Sequence, residues 1–188
     1  MVPLPPTEAR TLQAVGARRP TPGLPTKKEL VERLRSESSK DESIVALFDA
    51  RSVAGERHLL SAWAHLGRSR GRGESRLRVR GAELALWVAG DDQLPRALAK
   101  VGLADDSETF VLVAEKPRVL GPLLEMFGLV EDASAYPRPP DATTLARLGI
   151  ADEERDAVSP SSWEGLVLER VALLELSAAK GAVATPKH

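Results

Sequence analysis

The segment from Ser161 to Lys180 constrains this chain more than any other stretch. At about 100° per residue, Trp163, Val167, Val171, Leu174 and Ala178 fall on one apolar arc of a helix. Leu168, Ala172, Leu176 and Ala179 form a second ridge, roughly opposite Leu166 and Leu173. Glu164, Glu169, Arg170, Glu175, Ser177 and Lys180 are the interruptions. A helix lying on its own domain needs one such arc, whereas one that is apolar nearly all round must be covered all round. Two readings follow. The helix is central to its own fold, or its outer residues (Leu166, Leu168, Ala172, Leu173 and Leu176) meet a partner. Few residues follow it to supply cover, which makes the partner a serious candidate. Ser161 and Glu164 are placed to close a capping box at its start.

The rest of the chain reads as short alternating elements. After a proline-broken lead-in, residues 12–15 suit a strand, and 18–25 form a loop broken by Pro20, Pro22, Gly23 and Pro25. Thr26 and Glu29 make a capping box for a short helix carrying Leu30, Val31 and Leu34. Residues 45–48 read as a strand and 53–66 as a helix whose apolar face holds Val53, Leu59, Leu60, Trp63, Ala64 and Leu66. His58 and His65 lie opposite that face. Residues 84–89 are apolar on both alternating faces, the pattern of a strand buried from both sides. A helix capped by Asp91 or Asp92 runs on to Gly102, and Pro95 is tolerable in its first turn. Residues 110–113 read as a second two-sided strand, 117–127 as a helix bent at Pro122, and Asp141 as the cap of a short helix ending at Gly149. The expected architecture is α/β: one domain over residues 1–188, a mixed central sheet with helices packed on it, a long C-terminal helix, and irregular tails at 1–10 and 181–188.

Composition narrows function mainly by exclusion. The chain has no cysteine, which removes disulfides, thiolate nucleophiles and cysteine-held metals together. His58 and His65 are seven residues apart, about 10 Å by helix rise, too far to share one metal. No phosphate-cradling Gly-x-x-x-x-Gly-Lys and no Gly-x-Ser-x-Gly elbow occurs. The acids at 91–92, 105–106 and 152–154 sit where turns and caps place acids anyway. No catalytic residue, metal site, cofactor or small-molecule substrate is expected. With no run of about 18 apolar residues and no signal pattern, a cytoplasmic protein without membrane contact is expected.

The net charge of −1 conceals segregation. Arg68, Arg70, Arg72, Arg76, Arg78 and Arg80 crowd one stretch in which Glu74 is the only acid. The bland reading is a solvated loop. The functional one places Arg76, Arg78 and Arg80 on one side of an extended segment, where they pair with successive phosphates. Gln93 at a helix start suits either a base edge or a structural role.

Three segments in series resemble a known family. They are Phe48-Asp49-Ala50 with Val53 and His58-Leu59-Leu60-x-Ala62; Glu83-Leu84-Ala85-Leu86-x-x-Ala89-Gly90 with Gln93-Leu94, Ala97-Leu98 and Val101-Gly102; and residues 167–176, Val-Leu-Glu-Arg-Val-Ala-Leu-Leu-Glu-Leu. Together they are similar to the PRPK-binding protein family, archaeal type: the small subunit of the KEOPS tRNA-modification complex that binds its kinase. The resemblance extends from about Val45 onward. It implies an α/β fold without a catalytic centre, binding to the small lobe of the kinase/ATPase subunit largely through the closing helix, and help in recruiting tRNA by its 3′ end. The complex makes threonylcarbamoyladenosine, and the transfer belongs to another subunit. The sequence departs from the family where Val79, Arg80, Gly81 and Ala82 replace a stretch that often holds Ser, and at Asp92, where Arg is common. The alternatives are a stand-alone RNA-binding α/β protein and a small enzyme with an unrecognised site.

Overall fold

The structure, a computed structural model, describes residues 11–39, 43–75, 77–115 and 119–183, with side chains as far as Leu176. Four strands make one sheet: β1 (Leu12–Arg18), β2 (Val45–Asp49), β3 (Thr109–Glu115) and β4 (Val130–Glu131), in the order β2-β3-β1-β4. Every pairing is antiparallel, in place of the mixed sheet expected from the sequence. β3 is central and pairs Val15 with Leu112 on one side and Leu47 with Leu112 on the other.

Alternation along the strands divides the core in two. Val45, Leu47, Phe110, Leu112 and Ala114 point to the face covered by α1 (Lys27–Ser38) and α5 (Leu120–Phe127), where Leu30, Leu123 and Phe127 meet them. Ala46, Phe48, Val111 and Val113 point to the other face, beneath α2 (Glu56–Gly71), α3 (Arg80–Ala89), α4 (Leu94–Val101) and α8 (Trp163–Val183). Each leucine buried in these layers stabilises by roughly 1.5–3 kcal/mol. The short helices α6 (Ala142–Arg147) and α7 (Asp152–Asp156) pack on each other, and α6 also packs on the turn at Ala50–Ser52.

Local chemistry explains several boundaries. The Thr26–Glu29 capping box forms in full, with Thr26 N–H donating to Glu29 at 2.7 Å and Glu29 N–H to Thr26 Oγ1 at 3.3 Å. Asp141 caps α6 through the Thr144 N–H at 2.8 Å. Asp91, not Asp92, receives the Gln93 N–H ahead of α4, at 3.0 Å, while Gln93 is the residue at the cap position.

Five further expectations are corrected. Helix α8 runs to Val183, so residues 181–183 are helical rather than part of an irregular tail, while 1–10 and 184–188 lie outside the described residues. Residues 84–89 are helical, because α3 is enclosed by β2, α2, α4 and α8 and so needs no polar face. Helix α2 continues through Gly67 to Gly71, so Arg68 and Arg70 are helical. Its buried face includes His58 and His65, while Leu60 and Ala64 face outward. The expected capping box at Ser161 is absent: Ser161 lies in a 3₁₀ turn against Ser159, and Glu164 reaches Arg57 at 3.2 Å. The helix start expected at Pro117 falls on 117–118, outside the described residues.

Candidate functional site

Helix α8 is where packing leaves something over. Val167, Val171 and Leu174 are buried on its inner side, and Trp163 and Leu166 pack against the same core. The outer side carries Ala172, Leu173 and Leu176 in the open, with Leu168 half-buried beside them. Leu173 is 46% exposed and Leu176 59%, an apolar ridge one helical turn long. Of the five residues expected to face a partner, Leu166 therefore turns to the core and the other four border the outer ridge.

Ion pairs fix the direction in which that ridge points. Glu175, about 100° round the helix from Leu176, accepts from Arg72 at 2.9 Å and Arg68 at 3.2 Å, and its carboxylate lies 2.5 Å from His65 Nδ1. Burial works to raise the Glu175 carboxyl, but the Arg68 and Arg72 hydrogen bonds and the nearby positive charges hold it at about 2. The His65 ring stacks on Trp87 with centroids 5.5 Å apart, joining this clamp to α3. On the other flank Arg170 binds Glu154 at 2.6 Å. Helix α8 is thus tied to α2 and α7 while its ridge faces away from both.

The arginine run is mostly spoken for. Arg70 donates to the fully buried Glu83 at 2.7 Å, and Arg72 also reaches Glu74 at 3.0 Å. Arg80 opens α3 and forms a two-armed pair with Glu115 at 2.5 and 3.1 Å, its side chain 11% exposed and its partner's 1%. It does not alternate with Arg78 along an extended segment. Arg78 is exposed, and Arg76 lies outside the described residues. Gln93 is exposed at the head of α4, near Asp91, whose carboxylate is held by Arg96 at 3.0 Å and Lys100 at 3.2 Å. Arg78 and Gln93 are separated by the length of α3, about 15 Å at 1.5 Å per residue, rather than by a short strand.

Two buried polar nodes escape a reading of the sequence. His58 is fully buried; its Nδ1 accepts the Ala54 N–H at 3.1 Å, and its Nε2–H donates to the Val88 carbonyl at 2.9 Å. Burial pushes its pKa down to about 4, so the ring is a neutral strut between α2 and α3. Asp49 sits fully buried beneath Arg51 at 2.7 Å, Ser107 at 2.6 Å and Arg147 at 3.4 Å. Burial would raise this carboxyl, and the hydrogen bonds from Arg51 and Ser107 outweigh it. Both nodes have their polar atoms engaged internally and read as fold-holding. Among the described residues, no group of three or more His, Asp or Glu side chains converges as a metal site, and no helix is long and apolar enough to cross a membrane. No protein-family model matches the chain, and no curated protein matches it.

Proposed function

We propose that this chain is a non-catalytic regulatory subunit of the KEOPS complex, which installs threonylcarbamoyladenosine in tRNA. In this reading it docks on the kinase/ATPase subunit through the outer ridge of α8 and helps recruit the 3′ end of tRNA. The observation that carries the reading is the exposed pair Leu173 and Leu176 on a helix whose other flanks are clamped. Such a ridge, rigid and apolar, matches a helix face that a partner covers. The resemblance in three serial segments supplies the identity of that partner.

The test is binding of the purified chain to the kinase subunit by titration calorimetry. Leu173→Glu with Leu176→Glu should leave the fold intact, because both side chains already reach solvent, at 46% and 59% exposure. It should weaken binding at least tenfold, since a leucine buried at an interface contributes roughly 1.5–3 kcal/mol and a buried carboxylate adds its desolvation cost. Unchanged affinity in a folded double variant would move the interface off α8.

The RNA part of the proposal rests on Arg78 and Gln93, since Arg80 is occupied by Glu115. Arg78→Ala should weaken tRNA binding across sequences and reduce the salt slope by about one. Gln93→Ala should instead narrow the preference for intact over 3′-truncated tRNA with the slope kept. Equal binding of the two RNAs by the unaltered protein would leave Arg78 as a solvated charge.

A further inference from the structure

β2 is an edge strand, and its open side lies at the floor of a slot. The slot is the gap between the two helical layers where they overhang the sheet. Val31 and Leu34 of α1 form one wall, Val79 and Ala82 at the start of α3 with Leu98 of α4 form the other, and Leu47 lies at the base. The cavity is about 360 Å³, and Val79 and Leu98 stand 44% and 47% exposed at its rim.

The floor offers hydrogen bonds as well as apolar surface. Glu115 N–H donates to the Ile44 carbonyl at 2.9 Å. In an antiparallel ladder the residues that bond across the pair alternate, so Ala46 and Phe48 turn their main chain to β3. Val45, Leu47 and Asp49 turn theirs to the open side. Gly81 closes the first of these, since even a Cβ there would lie 2.3 Å from the Val45 carbonyl oxygen. Leu47 remains, 4% exposed, with an amide N–H and a carbonyl directed into the slot. A buried main-chain donor and acceptor left without partners cost free energy. A strand supplies both partners at once, which a hydrocarbon ligand does not.

We infer that the slot along β2 receives an extended segment of a partner polypeptide as a fifth strand: a short continuous apolar run flanked by acidic residues. Apolar walls on both sides require consecutive rather than alternating apolar residues, as in any strand covered on two faces. The acidic flanks follow from charge. Arg35 is the one charged side chain among the described residues lining the slot, and the exposed Arg78 immediately precedes Val79 of the opposite wall in sequence. Strand addition of this kind draws affinity from main-chain hydrogen bonds and specificity from the side-chain walls. It uses a surface distinct from the α8 ridge and does not depend on kinase docking there, although Arg78 is shared with the RNA contact proposed above.

The probe is the fluorescein-labelled peptide Asp-Asp-Val-Ala-Val-Asp-Asp, titrated into the full chain by anisotropy. Three comparisons accompany it: the same peptide N-methylated through its apolar run, a version with lysine in place of each aspartate, and the protein variants Leu98→Asp and Arg35→Glu, each checked for native circular dichroism. Binding should be saturable, and it should fall at least tenfold on N-methylation and with Leu98→Asp. Arg35→Glu should shift preference toward the lysine peptide. On binding, hydrogen exchange at the Leu47 amide should slow. No binding up to millimolar peptide overturns the proposal, as does equal binding of the N-methylated peptide, which would mean that the main chain is not read. A chain that sediments as a dimer and becomes monomeric with Leu98→Asp would make a second copy the occupant, and would overturn it equally.

Discussion

Arg80 and Arg78 stand two residues apart in one basic run, and the fold gives them opposite fates. The Arg80 guanidinium covers a carboxylate, Glu115, that is 1% exposed at the end of the central strand. Removing one partner of a buried pair is strongly destabilising, by about 3–5 kcal/mol. Arg78 is exposed, so truncating it should change stability by no more than about 0.5 kcal/mol. Urea unfolding of Arg80→Ala and Arg78→Ala separates the two, and equal midpoints would show that Glu115 does not depend on Arg80. The contrast matters for any RNA experiment. A variant that removes the whole run would lose the stability that Arg80 supplies, so a fall in its RNA binding would not report on the arginines' contacts alone.

Element α3 shows where the sequence stops being legible. Residues 84–89 are each no more than 2% exposed, so no polar side marks the 3.6-residue period, and the same letters suit a two-sided strand. By contrast α1 and β3 are readable, one from its capping box and the other from a short apolar run with flanking polar residues. The histidines of α2 mislead because polar residues seven apart suggest an outward stripe, while Val88 and Ala54 supply the hydrogen bonds that let His58 go inside. The ridge on α8 is half visible: two apolar arcs can be counted, but not which arc the domain keeps. Tertiary neighbours such as Glu115 and Glu175, distant in sequence, decide which arginines remain free to act. The start of α3 also yields a prediction of sign. Gly81 and Gly67 are both helical, and Gly→Ala in an open helix stabilises by roughly 0.5–1 kcal/mol. A Cβ on Gly67 meets nothing within 4 Å, so Gly67→Ala should gain that amount. On Gly81 the Cβ would lie 2.3 Å from the Val45 carbonyl oxygen, and Gly81→Ala should lose about 1–3 kcal/mol instead. Two stabilisations of equal size would mean that α3 and β2 part without cost.

At the scale of the whole molecule, the histidine and carboxylates pushed below their ordinary pKa values bias the protein against acid. His58 titrates near 6.5 when unfolded and is pushed down to about 4 in the folded state. A depressed pKa means that the unfolded chain binds the proton first. The stabilisation is complete above pH 6.5 and is lost as pH falls toward 4. A tenfold difference in proton affinity corresponds to about 1.4 kcal/mol, so this one ring should remove about 3 kcal/mol over that interval. Carboxylates take over lower down. Glu175 and Asp106 titrate at about 2 in the fold, and Asp49 is also depressed, so their contributions are present above about pH 4.5 and disappear as pH drops toward 2. Acid unfolding should therefore proceed in two limbs, and one substitution should separate them. His58→Leu strands the Ala54 N–H and the Val88 carbonyl, which should cost about 2–4 kcal/mol at pH 7.5. It also removes a group displaced from 6.5 to about 4. Denaturant unfolding at pH 7.5, 5.5, 4 and 3 should show the unaltered protein falling from the first step and the variant falling less steeply, since it keeps only His65, also pushed down by burial and by Arg68, so that the two curves approach each other by pH 4. Below that both should fall together, because Glu175, Asp106 and Asp49 are common to them. Parallel curves from 7.5 to 4 would mean that His58 takes up its proton inside the fold, and that the strut between α2 and α3 survives as an imidazolium.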